Sequence, residues 1–360
     1  MIEPTRGNIL TDDAEALVNT VNCVGVMGKG IALQFKKAFP ENFNAYQAAC
    51  RHKEVRPGSM FVYKTGQIFN PRFIINFPTK RHWREKSRYE DIENGLQALL
   101  QEVRRHNIRS IAIPPLGAGL GGLQWDRVRG MIESVFTDLV DISVRLYEPK
   151  GSPDAHDMPV GTVMPRMTVA RALLIKLMNQ YDRFAYRLTL LEIQKLAYFL
   201  QESGMDLKLR YVKHLYGPYA HNLNKVLEIL EGHHIRGYGD TQKPDVEISL
   251  LPEANKAADH LLQQESHAAV YLEKVSDLVD GFETPYGMEL LASVHWAAVH
   301  DGTAIDAETA AFAMACWNDR KCRLFRPEHI RLAWDRLQIR GWVKTPPGDE
   351  SIQPGNLSPS

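Results

Sequence analysis

The spacing of apolar residues changes character partway along the chain. Over residues 1–150, short runs rich in β-branched and aromatic residues alternate with stretches in which apolar positions recur with helical period. LVNTVNC, MFVYKT, FIINFPT, SIAIPPL and ISVRLYEP read as strands. Between them, IALQFKKAFPENF predicts a helix with Ile31, Phe35 and Phe39 on one face. YEDIENGLQALLQEVRRHN predicts a second, with Ile92, Leu96, Leu99, Leu100 and Val103 inward, and WDRVRGMIESVFTDL a third. Strand and helix in alternation predict an α/β fold, here a three-layer α/β/α sandwich. The second half is patterned as helix almost throughout. RALLIKLMNQYDRF, TLLEIQKLAYFLQESG, HNLNKVLEILEG, NKAADHLLQQESHAAVYLEKVSDLVDGF and YGMELLASVHWAAVH keep the helical period. PEHIRLAWDRLQIRGWV predicts a terminal helix and a short strand. The expected fold class is an N-terminal α/β/α domain followed by a mainly helical domain.

The stretch EPKGSPDAHDMPVGTVMP, with four Pro and two Gly, reads as a linker. The expected domains are 1–150 and 169–346, with a linker over 151–168 and a disordered tail over 347–360. The formal net charge is zero, from 43 Lys and Arg against 43 Asp and Glu, which argues against a coat for duplex DNA. The distribution alters that picture. Residues 1–150 carry 21 Lys and Arg against 16 Asp and Glu, and residues 151–360 carry 22 against 27. A basic half precedes an acidic one.

The N-terminus MIEPTRGNIL lacks the basic and then apolar profile of a signal peptide. No uncharged apolar run approaches the ~20 residues of a membrane span. Cys23, Cys50, Cys316 and Cys322 form no CxxC pair and stand at no zinc-ligand spacing. Reduced thiols, a cytoplasmic location, no metal and no membrane contact are the expectations.

Two Gly-rich loops stand between a strand and a helix: Asn19–Gly30 (NTVNCVGVMGKG) and Pro114–Leu123 (PPLGAGLGGL). Glycine lets backbone approach a ligand closely, and the helix that follows points amides at an anion. Two such loops at strand C-terminal ends suggest a pyrophosphate cradle, although neither is a Rossmann fingerprint or a P-loop. A third segment, Arg72–Arg88, holds six Lys and Arg against one acid, Glu85, with His82 and Trp83 interleaved. Arg81, His82, Trp83 and Arg84 are candidate contacts for single-stranded DNA, cations on phosphates and an aromatic on a base. The same residues equally describe a solvated basic face with Trp83 packed on the body.

GNIL, NTVNCVGVMGKGIALQFKKAFP and IPPLGAGLGGLQW, in that order, resemble the macrodomain family, an α/β/α fold that binds ADP-ribose. The resemblance covers nearly all of residues 1–150. NFPTKRHWR is similar to the branch that removes ADP-ribose with a lysine, and the whole resembles the DarG antitoxin family. Its partner, a DarT toxin, attaches ADP-ribose to thymidine in single-stranded DNA. The resemblance implies that Asn8 and Ile9 face adenine, that Asn22 contacts the distal ribose, and that Gly28 and Gly30 belong to the loop around it. It implies that Gly117, Ala118, Gly119, Leu120 and Gly121 bind the diphosphate and that Lys80 is catalytic. No cofactor is implied.

Lys80 ends an apolar strand, where α/β enzymes place reacting groups. A partly desolvated lysine among cations such as Arg81, Arg84, Lys86 and Arg88 has a lowered pKa and becomes a nucleophile for an anomeric carbon. As a cation it would instead stabilise the leaving base. Spacing alone describes an ordinary surface lysine; the resemblance reverses that reading. There is one departure. Glutamate-linked ADP-ribose hydrolases of the human type carry an aspartate in the diphosphate loop, and here that position is Gly121. His82 is a candidate substitute. A non-catalytic ADP-ribose reader and a protein mono-ADP-ribosyl hydrolase are the rival readings.

The second half offers no catalytic set. Gln194, Lys195, Leu196, Tyr198 and Phe199, followed by Tyr216, Gly217 and Pro218, resemble a helical antitoxin module found with several toxins, marked by a QKL.YF helix and a YGP turn. The resemblance and the acidic balance imply that this half binds a DarT-like toxin. A basic stretch from Arg320 to Lys344 offers a second, winged-helix-like DNA contact.

Overall fold

The structure, a computed structural model, describes residues 1–149, 158–182, 188–239 and 247–344. The first part of the expected linker and the whole expected tail lie outside the described residues. The chain forms two compact units. One comprises Met1–Arg166 and Val226–Pro252, the other Met167–Lys225 and the chain from Glu253 onward.

The first unit is built on a six-stranded sheet. β1 (Ile2–Thr5), β2 (Ala16–Asn22), β3 (Phe61–Lys64), β4 (Phe73–Lys80), β5 (Ser110–Ile113) and β6 (Ser143–Tyr147) lie in the order β1-β6-β5-β2-β4-β3. All neighbours are parallel except the edge pair β3–β4. β2 and β4 are buried along nearly their whole length, as strands covered on both faces must be. Side chains of alternate parity serve opposite layers. Ala16, Val18, Phe73, Ile75 and Phe77 pack with α3 (Tyr89–Arg105) and α4 (Trp125–Phe136). Leu17 and Ile74 pack with α1 (Gly30–Ala38), and Val21 with Tyr46 and Ala49 of α2 (Pro40–Arg51). This is the α/β/α sandwich the periodicity predicts. Ile92, Leu96, Leu99 and Val103 are buried as expected, whereas Leu100 stays half-buried. Pro40 divides the expected single helix after residue 30 into α1 and α2. A strand was not anticipated in Ile2–Thr5, where three of four residues carry no apolar signal.

The second unit is helical. α5 (Val169–Asp182), α6 (Leu190–Glu202), a hairpin of β7 (Tyr211–His214) and β8 (Gly217–Ala220), and the start of α7 (Leu223–Leu230) precede the return of the chain to the first unit. There β9 (Ile235–Arg236) and β10 (Ser249–Leu250) pair antiparallel. α8 (Pro252–Leu262), α9 (Ala269–Val279), α10 (Pro285–Val299), α11 (Ala307–Trp317), α12 (Asp319–Leu324) and α13 (Pro327–Ile339) follow. The long helix expected over 255–282 is two, α8 and α9, separated by a 3-10 turn at Ser266–Ala268. The short strand expected after α13 is absent: Trp342 is buried against the rings of Phe199 and His295, at 5.5 and 5.7 Å, and anchors the chain end instead.

α6 and α10 are buried all round and form the centre of this unit. The QKL helix and the YGP turn meet. Gln194 exchanges two hydrogen bonds with the Ala220 backbone, and Lys195 Nζ donates to the Pro218 carbonyl at 2.6 Å. Gly217 has φ +89°, and a Cβ there would lie 2.7 Å from Ser293 Oγ, so the turn requires glycine. Part of the basic stretch from Arg320 is tied down by acids and backbone, while Arg323, Arg326, Arg331 and Lys344 stay exposed. Lys321 is fully buried on Glu289 at 2.7 Å, Arg320 pairs with the same carboxylate at 2.5 Å, and Arg336 and Arg340 bind the Asp277 backbone and carboxylate.

Candidate active site

Because β1, β6, β5, β2 and β4 are parallel, their C-terminal ends share one edge of the sheet. That edge collects the expected site residues. Asn8 and Ile9 follow β1, the loop from Pro114 follows β5, Asn22 ends β2 and Lys80 ends β4. At ~4.8 Å per strand, the row from β1 to β4 spans on the order of 20 Å.

At the β1 end, Asn8 caps the short 3-10 helix Ile9–Thr11, its Oδ1 accepting from the Leu10 amide at 3.0 Å. Ile9 is buried in the core. Asp12 receives the Tyr147 hydroxyl at 2.7 Å and Arg145 at 2.6 Å. Desolvation and that carboxylate push the Tyr147 phenol above its ordinary pKa.

Asn22 is buried and organises the first Gly-rich loop. Its Oδ1 accepts from the amides of Val24 and Val26, and its Nδ2 donates to the Val26 carbonyl at 2.5 Å. Tyr46, from α2, donates its hydroxyl to the Asn22 carbonyl at 2.6 Å. The Asn22 side chain is therefore held by its own loop. Gly28 and Gly30 end this loop, Gly30 with φ +60°.

The second loop folds on itself: Gly122 N donates to Gly119 O and Leu123 N to Gly117 O, both at 3.0 Å. The amides of Gly119, Leu120 and Gly121 make no hydrogen bond among the described residues, so three successive donors remain for an anion. Gly121 is glycine for lack of room. A Cβ there would fall inside contact distance of the Gly117 carbonyl and Ser87 Oγ. Ser87 lies beneath the loop, donates its amide to Gly121 O at 3.0 Å, and keeps a buried hydroxyl without a partner among the described residues. Ser87 and Tyr46 carry no sequence signal, because their parts depend on contacts with distant segments.

Lys80 faces this loop. Its Nζ donates to the Leu120 carbonyl at 2.6 Å, and burial lowers its pKa. Of the two expected causes, desolvation produces the shift, and the neighbouring cations do not contribute to it. Arg81 turns to Asp91 at 3.1 Å. The His82 and Trp83 rings stack at 5.4 Å, the Arg84 guanidinium sits 4.5 Å from the Trp83 centroid, and Trp83 remains 38% exposed. His82 Nδ1 accepts from the Arg84 amide at 3.3 Å. Among the described residues no group of His, Cys, Asp and Glu could hold a metal, and no helix is long and apolar enough to cross a membrane.

Residues 18–132 match the Macro domain family. The chain is 47% identical over 353 residues to a DNA ADP-ribosyl glycohydrolase of Thermus aquaticus, covering 96% of this chain and 97% of the relative. It is 34% identical over 171 residues to a DNA ADP-ribosyl transferase–DNA ADP-ribosyl glycohydrolase fusion protein of Thermosipho africanus, covering 43% of this chain and 44% of that one. Among solved structures it is similar to the macrodomain of Mycobacterium tuberculosis DarG, with 53% identity, 42% of this chain and 99% of that chain covered, and a TM-score of 0.41. The length of the Thermus match, together with the sandwich and its paired glycine loops, shows that this chain belongs to the DNA ADP-ribosyl glycohydrolase family.

Proposed function

We propose that the first unit removes ADP-ribose from thymidine in single-stranded DNA and that the second unit binds and neutralises the cognate ADP-ribosyltransferase toxin, so that the whole acts as an antitoxin. The observation that carries the first half is the placement of Lys80. A half-buried amine of lowered pKa stands at the shared strand edge, hydrogen-bonded to a loop that keeps three amides for an anion.

ADP-ribose lies along the edge, adenine toward Asn8 and Ile9, diphosphate on Gly117–Gly121, and distal ribose between Asn22, Gly28, Gly30 and Lys80. The neutral Lys80 amine attacks the anomeric carbon. The bond to the base breaks, its electron pair leaves with the base nitrogen, and that nitrogen takes a proton. Water then adds to the same carbon, the lysine nitrogen leaves, and free ADP-ribose is released with Lys80 restored. Lowering the amine pKa raises the fraction of neutral nucleophile near pH 7. Arg84 and Trp83 flank this point and hold the adjoining strand.

For the second half, the support is the name of the Thermosipho relative, which joins a transferase to a glycohydrolase in one chain; the acidic balance of residues 151–360 lends little, since the second unit itself carries 19 Lys and Arg against 20 Asp and Glu. The test offers ADP-ribosylated single-stranded oligonucleotide to the whole protein and to Lys80→Ala. Release of ADP-ribose by the first and not the second is expected. Full activity of the variant removes Lys80 from the mechanism, and binding without turnover by the unaltered protein makes it a reader. Protection of toxin-expressing cells by Lys80→Ala, through sequestration alone, checks the second unit.

A further inference from the structure

The ligand site has walls outside residues 1–150. After Lys225 the chain returns to the first unit and runs along α1. Lys36 pairs with Glu228, and Lys37 Nζ donates to the Ile229 carbonyl at 3.3 Å. Further on, Gly239 lies over Leu33, where an added Cβ would meet Leu33 Cδ2 at 2.9 Å. At the N-terminus of α1 the contacts reach the ligand loop itself. The Gly30 amide donates to the Gly239 carbonyl, the Lys29 ammonium donates to the Tyr238 carbonyl, and that ammonium sits 3.4 Å from the Tyr238 ring centroid. Lys29 is the N-cap of α1 and makes no capping bond with its side chain, so the Gly239 carbonyl serves an amide of the first turn that the sequence around Lys29 leaves uncapped.

The same short stretch touches the other end of the site. Arg236 Nη2 donates to the Met158 carbonyl at 3.1 Å, and Met158 Sδ receives the Asn8 side-chain amide at 3.4 Å. Arg236–Gly239 thus buttresses Asn8 through Met158 at the adenine end and binds Lys29 and Gly30 at the ribose end.

We propose that Arg236–Gly239 is part of the ADP-ribose site, a strap from the second half of the chain that positions both ends of the ligand cleft. The inference rests on the reading of this edge as an ADP-ribose site. The strap acts through the loop and through Asn8 and does not touch the reacting carbon. Its loss therefore weakens binding and leaves the chemical step intact. A preorganised loop binds more tightly than one that must be ordered when the ligand arrives.

The experiment uses the full chain carrying Tyr238→Ala, Tyr238→Phe or Arg236→Ala, and reads ADP-ribose affinity by calorimetry together with kcat and KM on modified oligonucleotide. Tyr238→Ala and Arg236→Ala are expected to weaken ADP-ribose binding and raise KM about five- to tenfold, with kcat within twofold. Tyr238→Phe keeps the ring over Lys29 and is expected to restore the unaltered affinity. A lowered melting temperature with unchanged affinity would make the strap structural only, and tighter binding would make it a competitor; either result overturns the proposal. Lys80→Ala separates the two readings. If it loses no activity, the mechanism fails while calorimetry still decides the strap. If the unaltered protein binds no ADP-ribose, the site reading fails first.

Discussion

Lys80 Nζ and the carbonyl oxygen of Leu120 lie 2.6 Å apart, joining the end of β4 to the glycine loop after β5. This hydrogen bond fixes the amine against the loop that is read as the diphosphate site. The Leu120 side chain reaches the other glycine loop, 3.2 Å from where a Cβ of Gly30 would stand. Lysine and the two glycine loops are thereby held together before any ligand is considered. A charged amine favours the carbonyl contact, while desolvation favours the neutral form, and the net direction of the pKa is downward.

The pH profile of kcat tests that balance. With the neutral amine as the proposed nucleophile, the rate is expected to rise with pH and level off above the Lys80 pKa, at a lower pH than an ordinary lysine allows. Lys80→Arg keeps the cation and the reach but is never neutral, and it is expected to lose at least a hundredfold in kcat with little change in ADP-ribose affinity. An arginine variant of near-normal rate would show that positive charge on the leaving base is the working contribution.

Gly121 makes a steric prediction. Any side chain there collides with Gly117 O and Ser87 Oγ, so Gly121→Ala must displace the loop and is expected to abolish measurable ADP-ribose binding. Ser87→Ala has the opposite character. It removes a buried hydroxyl without a partner among the described residues and is expected to leave the melting temperature unchanged or slightly raised. A markedly destabilised Ser87→Ala would show that the hydroxyl is paired.

These residues mark how far the sequence is legible. Both glycine loops are visible as local patterns, glycines between a strand and a helix, whereas Lys80 at the end of an apolar strand reads as an ordinary surface lysine until the family resemblance marks it. Ser87 and Tyr46 are not visible, since their roles come from Gly121 and Asn22, which are far away in the chain. The stretch Arg236–Gly239 looks like a bend after a helix and has no pattern that ties it to Lys29. Lys321 reads as one more surface cation in a basic run, yet it is fully buried on Glu289. The apolar pattern from Asn255 to Phe282 lapses only across Gln263–His267, where α8 ends and the 3-10 turn at Ser266–Ala268 begins, a lapse too short to mark a helix boundary in the sequence.

Lys195 and Lys321 give the second unit a pH-dependent stability. Burial pushes their amines down to about 7 and about 8, while the unfolded chain titrates near the ordinary lysine value of ~10.4. Between about pH 7 and pH 10 the unfolded state binds more protons than the folded one, so stability rises with pH through that window. His295, held down to about 3, adds nothing to the slope there once the unfolded chain is past the ordinary histidine range. Urea midpoints at pH 7 and pH 9, followed by tryptophan fluorescence, check this, since Trp296, Trp317, Trp334 and Trp342 all lie in this unit. A midpoint that falls or stays flat refutes it. Glu289→Gln removes the counter-charge of buried Lys321 and is expected to cost about 3–5 kcal/mol.

Trp83 separates recognition of DNA from recognition of ADP-ribose. Its ring, three residues after Lys80 in the chain, is partly exposed, with His82 stacked at 5.4 Å and Arg84 at 4.5 Å. If a neighbouring base stacks there, Trp83→Ala raises KM for modified oligonucleotide about tenfold and leaves the affinity for free ADP-ribose unchanged, while Trp83→Phe retains most of the binding. Arg84→Ala, by removing one phosphate contact, is expected to lower the slope of log affinity against log salt by about 0.7. Equal KM values for the unaltered protein and Trp83→Ala would mean that the ring only packs against His82 and Arg84, and that the DNA strand leaves the site along another path.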